Sequence, residues 1–89
     1  MALQILNAGP APEKICAEIR GAIKQVLSDA EVEVVAASPG HFEIQVRSAS
    51  FADRSRVQQQ QSVYAAIAHL MKGDSPPVHA VDRMECLLP

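Results

Sequence analysis

The sequence predicts an α+β domain of αββαβ order, with a mixed three-stranded sheet and both helices packed on one face. Three observations lead there. Apolar residues recur at helical spacing between Ile15 and Leu27 and again between Val57 and Met71. Between these segments the period changes to two, over Val32–Ala36 and Phe42–Val46, with Ser38-Pro39-Gly40-His41 as the turn. A last apolar stretch, Val78–Leu87, follows the second helix and must return to the sheet beside the second strand. A helical crossover of that kind makes the final pair parallel and right-handed.

Residues 1–11 end in Gly9-Pro10-Ala11 and are expected to form a loosely held tail, leaving 12–89 as one domain. Pro12 suits the first helical turn, and Glu13 complements the helix dipole there. Ile15, Ile19, Ala22, Ile23, Val26 and Leu27 then mark one buried helix face. Cys16 flanks that face and reads as a small core residue, while Gly21 lies mid-helix where it would permit close packing. In the first strand Val32, Val34 and Ala36 alternate with Glu31 and Glu33. In the second, Phe42, Ile44 and Val46 face the core, with Glu43, Gln45 and Arg47 on the other side. Pro39 and Gly40 occupy the two central positions of a type II turn.

Phe51 anchors the connector that follows, and Ser55 with Gln58 forms an S-x-x-Q capping box. The second helix is expected to bury Val57, Tyr64, Ile67 and Met71, widened by Val63, Ala66 and Leu70. Gly73-Asp74-Ser75-Pro76-Pro77 stops it. Alternation in the third strand breaks at Asp82, which calls for a bulge or an early strand end.

Bulk properties narrow the function. A chain of 89 residues closes one core and has no room for a large internal cavity. A net charge of -2 and an aromatic content of 3% argue against a general nucleic-acid or anionic-membrane binder. Cys16 and Cys86 form no C-x-x-C pair and have no disulfide spacing signal, which favours a reducing, cytoplasmic setting. The first residues carry no basic leader followed by a long apolar run, so no signal peptide or membrane span is expected.

Chemistry is confined to a few side chains. His41, His69 and His79 have no pattern tying them to a nucleophile, and no G-x-S-x-G or H-x-x-x-H occurs, so an enzyme is not expected. Glu31, Glu33 and Glu43 read as solvated strand charges, because general-acid work needs a sheltered pocket. His79 follows two prolines at a strand start, where a neutral imidazole is able either to hydrogen-bond or to ligate a metal. His41, at the hairpin turn, offers the same two options, and His69 faces away from most apolar positions. Arg54, Arg56, Gln58 and Gln59 open the second helix and are the residue types that read guanine, adenine and phosphate in a major groove. No G-x-x-G loop is present to clamp a nucleic-acid backbone.

Four pieces in register carry a resemblance. They are Gly40-His41-Phe42; Phe51 with Ser55-Arg56-Val57; Gln60-Gln61-Ser62-Val63-Tyr64; and Val78-His79-Ala80-Val81. In order and spacing they are similar to BolA-like proteins over residues 13–82, nearest to the short-loop bacterial IbaG/YrbA branch. The resemblance implies a class II KH-like fold and a non-enzymatic adaptor in iron-sulfur trafficking or in redox and stress regulation. It implies pairing with a monothiol glutaredoxin across a shared 2Fe-2S cluster, with glutathione supplied through that partner and no cofactor when the chain is alone. His79 then falls on the family's cluster-ligating histidine, and His41 is the nearest candidate for a second ligand. Imidazole in place of thiolate raises a cluster's potential. The free chain would be a monomer or weak homodimer that needs no membrane.

The sequence also departs from the family pattern. Asp53 stands where a glycine is usual, Gln58 and Gln59 replace basic residues, and the ligand-bearing loop is shortened to Ser38-Pro39-Gly40. The stretch from Asp82 to Pro89 lacks the usual T-P ending. The alternative function is a DNA-binding transcriptional regulator that uses the helix starting near Ser55.

Overall fold

The structure, a computed structural model, describes residues 11–89. The tail expected over residues 1–11 therefore lies, but for Ala11, outside the described residues. Five elements follow in the expected order: α1 (Pro12–Val26), β1 (Glu31–Ser38), β2 (His41–Arg47), α2 (Arg56–Ile67) and β3 (Ala80–Leu87). The sheet order is β1-β2-β3, antiparallel between β1 and β2 and parallel between β2 and β3. Both helices pack on one face of this mixed sheet.

The sequence explains most of the packing. Pro12 opens α1, and Ile15, Cys16, Ile19 and Ile23 form its buried face. From β2 come Phe42, Ile44 and Val46, each at most 2% exposed. Phe51 is buried in a short 3-10 turn, Ala49–Phe51, that joins β2 to α2. The capping box closes in both directions at α2: Ser55 Oγ accepts the Gln58 amide at 3.1 Å, and Gln58 Oε1 accepts the Ser55 amide at 3.0 Å.

α2 is rotated from its expected orientation. Its buried residues are Val63, Ala66 and Ile67, while Val57 is 61% exposed and Tyr64 40%. On the same side of the helix, the Gln59 Nε2 donates to the carbonyls of Phe51 and Arg54 at 3.0 and 3.1 Å. The α-helix ends at Ile67 and tightens into a 3-10 turn over Ala68–Leu70, with Met71 half-buried beyond it. Val26 is likewise 60% exposed at the end of α1. Gly21 has nothing within 4 Å of where a Cβ would stand, so it serves no close packing. Burial fades along β1, from Val32 through half-buried Val34 to exposed Ala36, because the hairpin end borders an open groove.

β3 starts at Ala80, two residues later than expected, and Val78 is a fully buried anchor ahead of it. Asp82 is the extra residue of a β-bulge: Phe42 pairs with Val81, but Glu43 pairs with Arg83. The bulge keeps Val81 and Met84, three residues apart, both packed against the core. It also sets Arg83 rather than Asp82 opposite Glu43, replacing a like-charge pair with a favourable one.

One polar contact ties the α1–β1 connection to the turn after β2. Asp29 accepts the Ser48 hydroxyl at 2.7 Å and the Ala49 amide at 2.8 Å, and Ser48 is fully buried. The Ser48 hydroxyl, followed by the Ala49 amide, holds the Asp29 carboxyl below its usual value of about 3.8. This contact stabilises the fold above the unfolded carboxyl's pKa, and the stabilisation is lost as pH falls through the lower folded value.

Two predictions follow from this packing. Val63→Ala should cost about 2 kcal/mol in urea unfolding, whereas Val57→Ala should stay within about 0.5 kcal/mol of the parent. In acid titrations followed by circular dichroism, the parent's stability advantage over Asp29→Asn should be full near neutrality and should shrink as pH falls below about 4.

Candidate functional site

His79 and His41 stand at the same end of the sheet because one carbonyl holds their segments together. The Gly40 oxygen accepts the His79 amide at 2.8 Å and the Ala80 amide at 3.1 Å. Gly40 occupies the left-handed region, with φ of 77°. A Cβ there would come within 2.7 Å of the His79 Cγ and Nδ1, so the absence of a side chain is what lets the imidazole lie against the turn. Pro76 and Pro77 stiffen the approach, and the buried Val78, whose amide donates to the Leu70 carbonyl at 3.1 Å, fixes the residue just before His79.

His79 is exposed, and among the described residues its ring makes no side-chain hydrogen bond. It lines a groove of about 920 Å³ bounded by Pro12, Ile15, Pro39, Phe42 and Pro77. His41 pairs with Ala80 across the ladder and so lies one register step from His79, but it does not line that groove. Its Nδ1 instead lies 3.0 Å from Asp82 Oδ1, and both side chains are a little over 40% exposed.

The remaining chemistry divides clearly. Burial pushes both thiols up, Cys16 in α1 and half-buried Cys86 in β3, so neither is a ready thiolate donor. Among the described residues no three His, Cys, Asp or Glu side chains converge as a metal site. A metal at His79 would take its other ligands from outside the chain. His69 is exposed, away from these residues in sequence, on the 3-10 turn after α2. No helix among the described residues is long and apolar enough to cross a membrane.

The alternative nucleic-acid residues do gather at the start of α2, but most are already engaged. Arg54 donates to Ser62 Oγ at 3.1 Å, Gln58 closes the capping box, and Gln59 bonds two carbonyls. Arg56 is exposed without a side-chain partner among the described residues. One site residue was not identified as such from the sequence. Asp82 showed there only as a break in alternation, and its partnership with His41 depends on a cross-strand register that alternation does not reveal.

The two glycines permit a direct test of how His79 is seated. Gly40→Ala should destabilise the fold by about 1–2 kcal/mol and displace the His79 ring resonances in NMR spectra. Gly21→Ala, with open space around it, should stabilise α1 by about 0.5–1 kcal/mol and leave those resonances in place.

Comparison with known proteins identifies the family and the fold. The family model described as BolA-like protein matches residues 22–85. No curated protein matches the chain. The solution structure of BolA1 from Mus musculus is 30% identical, with a TM-score of 0.67, covering 92% of this chain and 68% of that one. The BolA domain of SufE1 from Arabidopsis thaliana reaches a TM-score of 0.73 at 22% identity, covering 89% and 96% of the two chains. Yeast Fra2 gives 0.62 at 22%, covering 88% and 78%. The last two likenesses concern the fold alone. With the family model spanning most of the described residues and the mouse protein matching through nearly the whole domain, the chain belongs to the BolA-like protein family.

Proposed function

We propose that the protein is a non-enzymatic, cytoplasmic adaptor that pairs with a monothiol glutaredoxin and shares a 2Fe-2S cluster with it. Its role would lie in iron-sulfur trafficking or in redox and stress regulation. The observation that carries this reading is the state of His79: exposed, at the rim of a groove, with a ring that makes no side-chain hydrogen bond among the described residues. The donor set fits a shared site rather than a private one. The chain offers imidazole but no low-pKa thiol, and the partner with its glutathione would complete the coordination.

When bound, such a cluster supplies one-electron redox chemistry, which imidazole ligation tunes upward relative to thiolate. His41, at the same end of the sheet but outside the groove that His79 lines, is the candidate second donor. The hairpin connection of only Pro39 and Gly40 supports a place in the short-loop IbaG/YrbA branch. Alone, the chain would carry no cofactor and be monomeric or weakly dimeric. Binding of DNA by α2 is the less supported alternative, since the amides of Gln58 and Gln59 already serve the helix start.

The test is reconstitution with a monothiol glutaredoxin, glutathione, iron and sulfide, followed by visible absorption and circular dichroism. The complex should show a cluster spectrum distinct from the glutaredoxin's own, and His79→Ala should abolish the difference. An altered spectrum that persists in His79→Ala would overturn the ligand assignment. The DNA alternative requires duplex binding that weakens steeply with salt and depends on Arg54 and Arg56.

A further inference from the structure

We propose that Asp82 is a positioning residue for His41: its carboxylate fixes the neutral imidazole as the Nδ1–H tautomer and leaves Nε2 as the metal-binding nitrogen. This rests on the adaptor reading above and assigns a role that alternation along β3 does not reveal.

Hydrogen-bond capacity decides the tautomer. A carboxylate only accepts, so the 3.0 Å contact between Asp82 Oδ1 and His41 Nδ1 is a hydrogen bond only when Nδ1 carries the hydrogen. In the neutral ring the lone pair then sits on Nε2, on the side away from Asp82. The His41 side chain is 42% exposed, so solvent and solutes can reach the ring. An unrestrained neutral imidazole in water favours the opposite tautomer, with the hydrogen on Nε2. The carboxylate therefore changes which nitrogen is free to coordinate.

Backbone geometry supports a dedicated role. Without the bulge, Asp82 would face Glu43 across the ladder. With it, Arg83 takes that place, and Asp82 meets His41 instead. Arg83 itself turns to Glu85 at 3.5 Å, which leaves His41 as the side-chain partner of Asp82 among the described residues. A carboxylate on the far nitrogen of an imidazole is the arrangement that orients metal-ligating histidines and makes them more basic donors.

The experiment uses the free chain and cobalt(II) alone as probe. At a pH where His41 is neutral, nitrogen-15 shifts of its ring should report the Nδ1–H tautomer in the parent. Asp82→Ala should convert the ring to mainly Nε2–H and weaken the cobalt-induced changes at His41 by about 10-fold. Asp82→Asn, whose amide oxygen still accepts, should keep the Nδ1–H tautomer. An Nε2–H tautomer in the parent overturns the proposal, as does an Asp82→Ala variant that matches the parent in tautomer and cobalt response. These measurements need no glutaredoxin. A fixed tautomer in a chain that never alters the partner's cluster spectrum would therefore refute the adaptor reading and leave this assignment standing.

Discussion

A single acceptor, the Gly40 carbonyl, joins the hairpin to the final strand at the end of the sheet that carries His41 and His79. It takes the amides of His79 and Ala80 and thereby sets where the parallel strand begins. Parallel pairing across a long crossover has no tight turn to fix its register, so the register must come from such a contact and from buried anchors on either side. Val78 is the buried anchor here, and Phe42 is its counterpart on the central strand. The exposed imidazole thus sits between a sealed core residue and a backbone hydrogen bond. An imidazole held this way is solvent-accessible without being loosely placed.

The rest of the fold supplies a rigid back to that edge. Both helices contribute to one apolar cluster with the inner face of the sheet, while the outer face carries Glu31, Glu33 and Glu43 in solvent beside an exposed Val35. Away from the core, two polar devices do local work. Asp29 clasps the turn after β2, and the reciprocal Ser55–Gln58 pair starts α2. Neither reaches the histidines, so the scaffold and the candidate site draw on separate groups.

Much of this was legible in the residues. Strict alternation named the inner face of β2, and the capping box placed the start of α2, because both signals are local. The rotation of α2 was not legible, since Val57 and Tyr64 satisfy helical spacing as well as Val63 and Ile67 do. The structure seats Val63 and Ile67 inward, and on that same side the Gln59 side chain reaches back to the Phe51 and Arg54 carbonyls, contacts that helical spacing does not report. At the site, the two prolines marked His79 as a strand-start histidine, and family resemblance raised its importance. The His41–Asp82 contact spans 41 positions, and no single-sequence period reports a pairing of that range.

The bulge at Asp82 has one more consequence, for tolerance to changes in chain length. Within a paired strand, losing one residue normally throws every later side chain onto the wrong face. At Asp82 the ladder already holds a supernumerary residue, so its excision would leave Val81 abutting Arg83 in regular pairing but would reverse nothing beyond, with Arg83 still across from Glu43 and Met84 from Ile44. The same excision at Met84 would draw Glu85 toward the helices. A lineage could shed or regain this one residue while its interior stayed sorted.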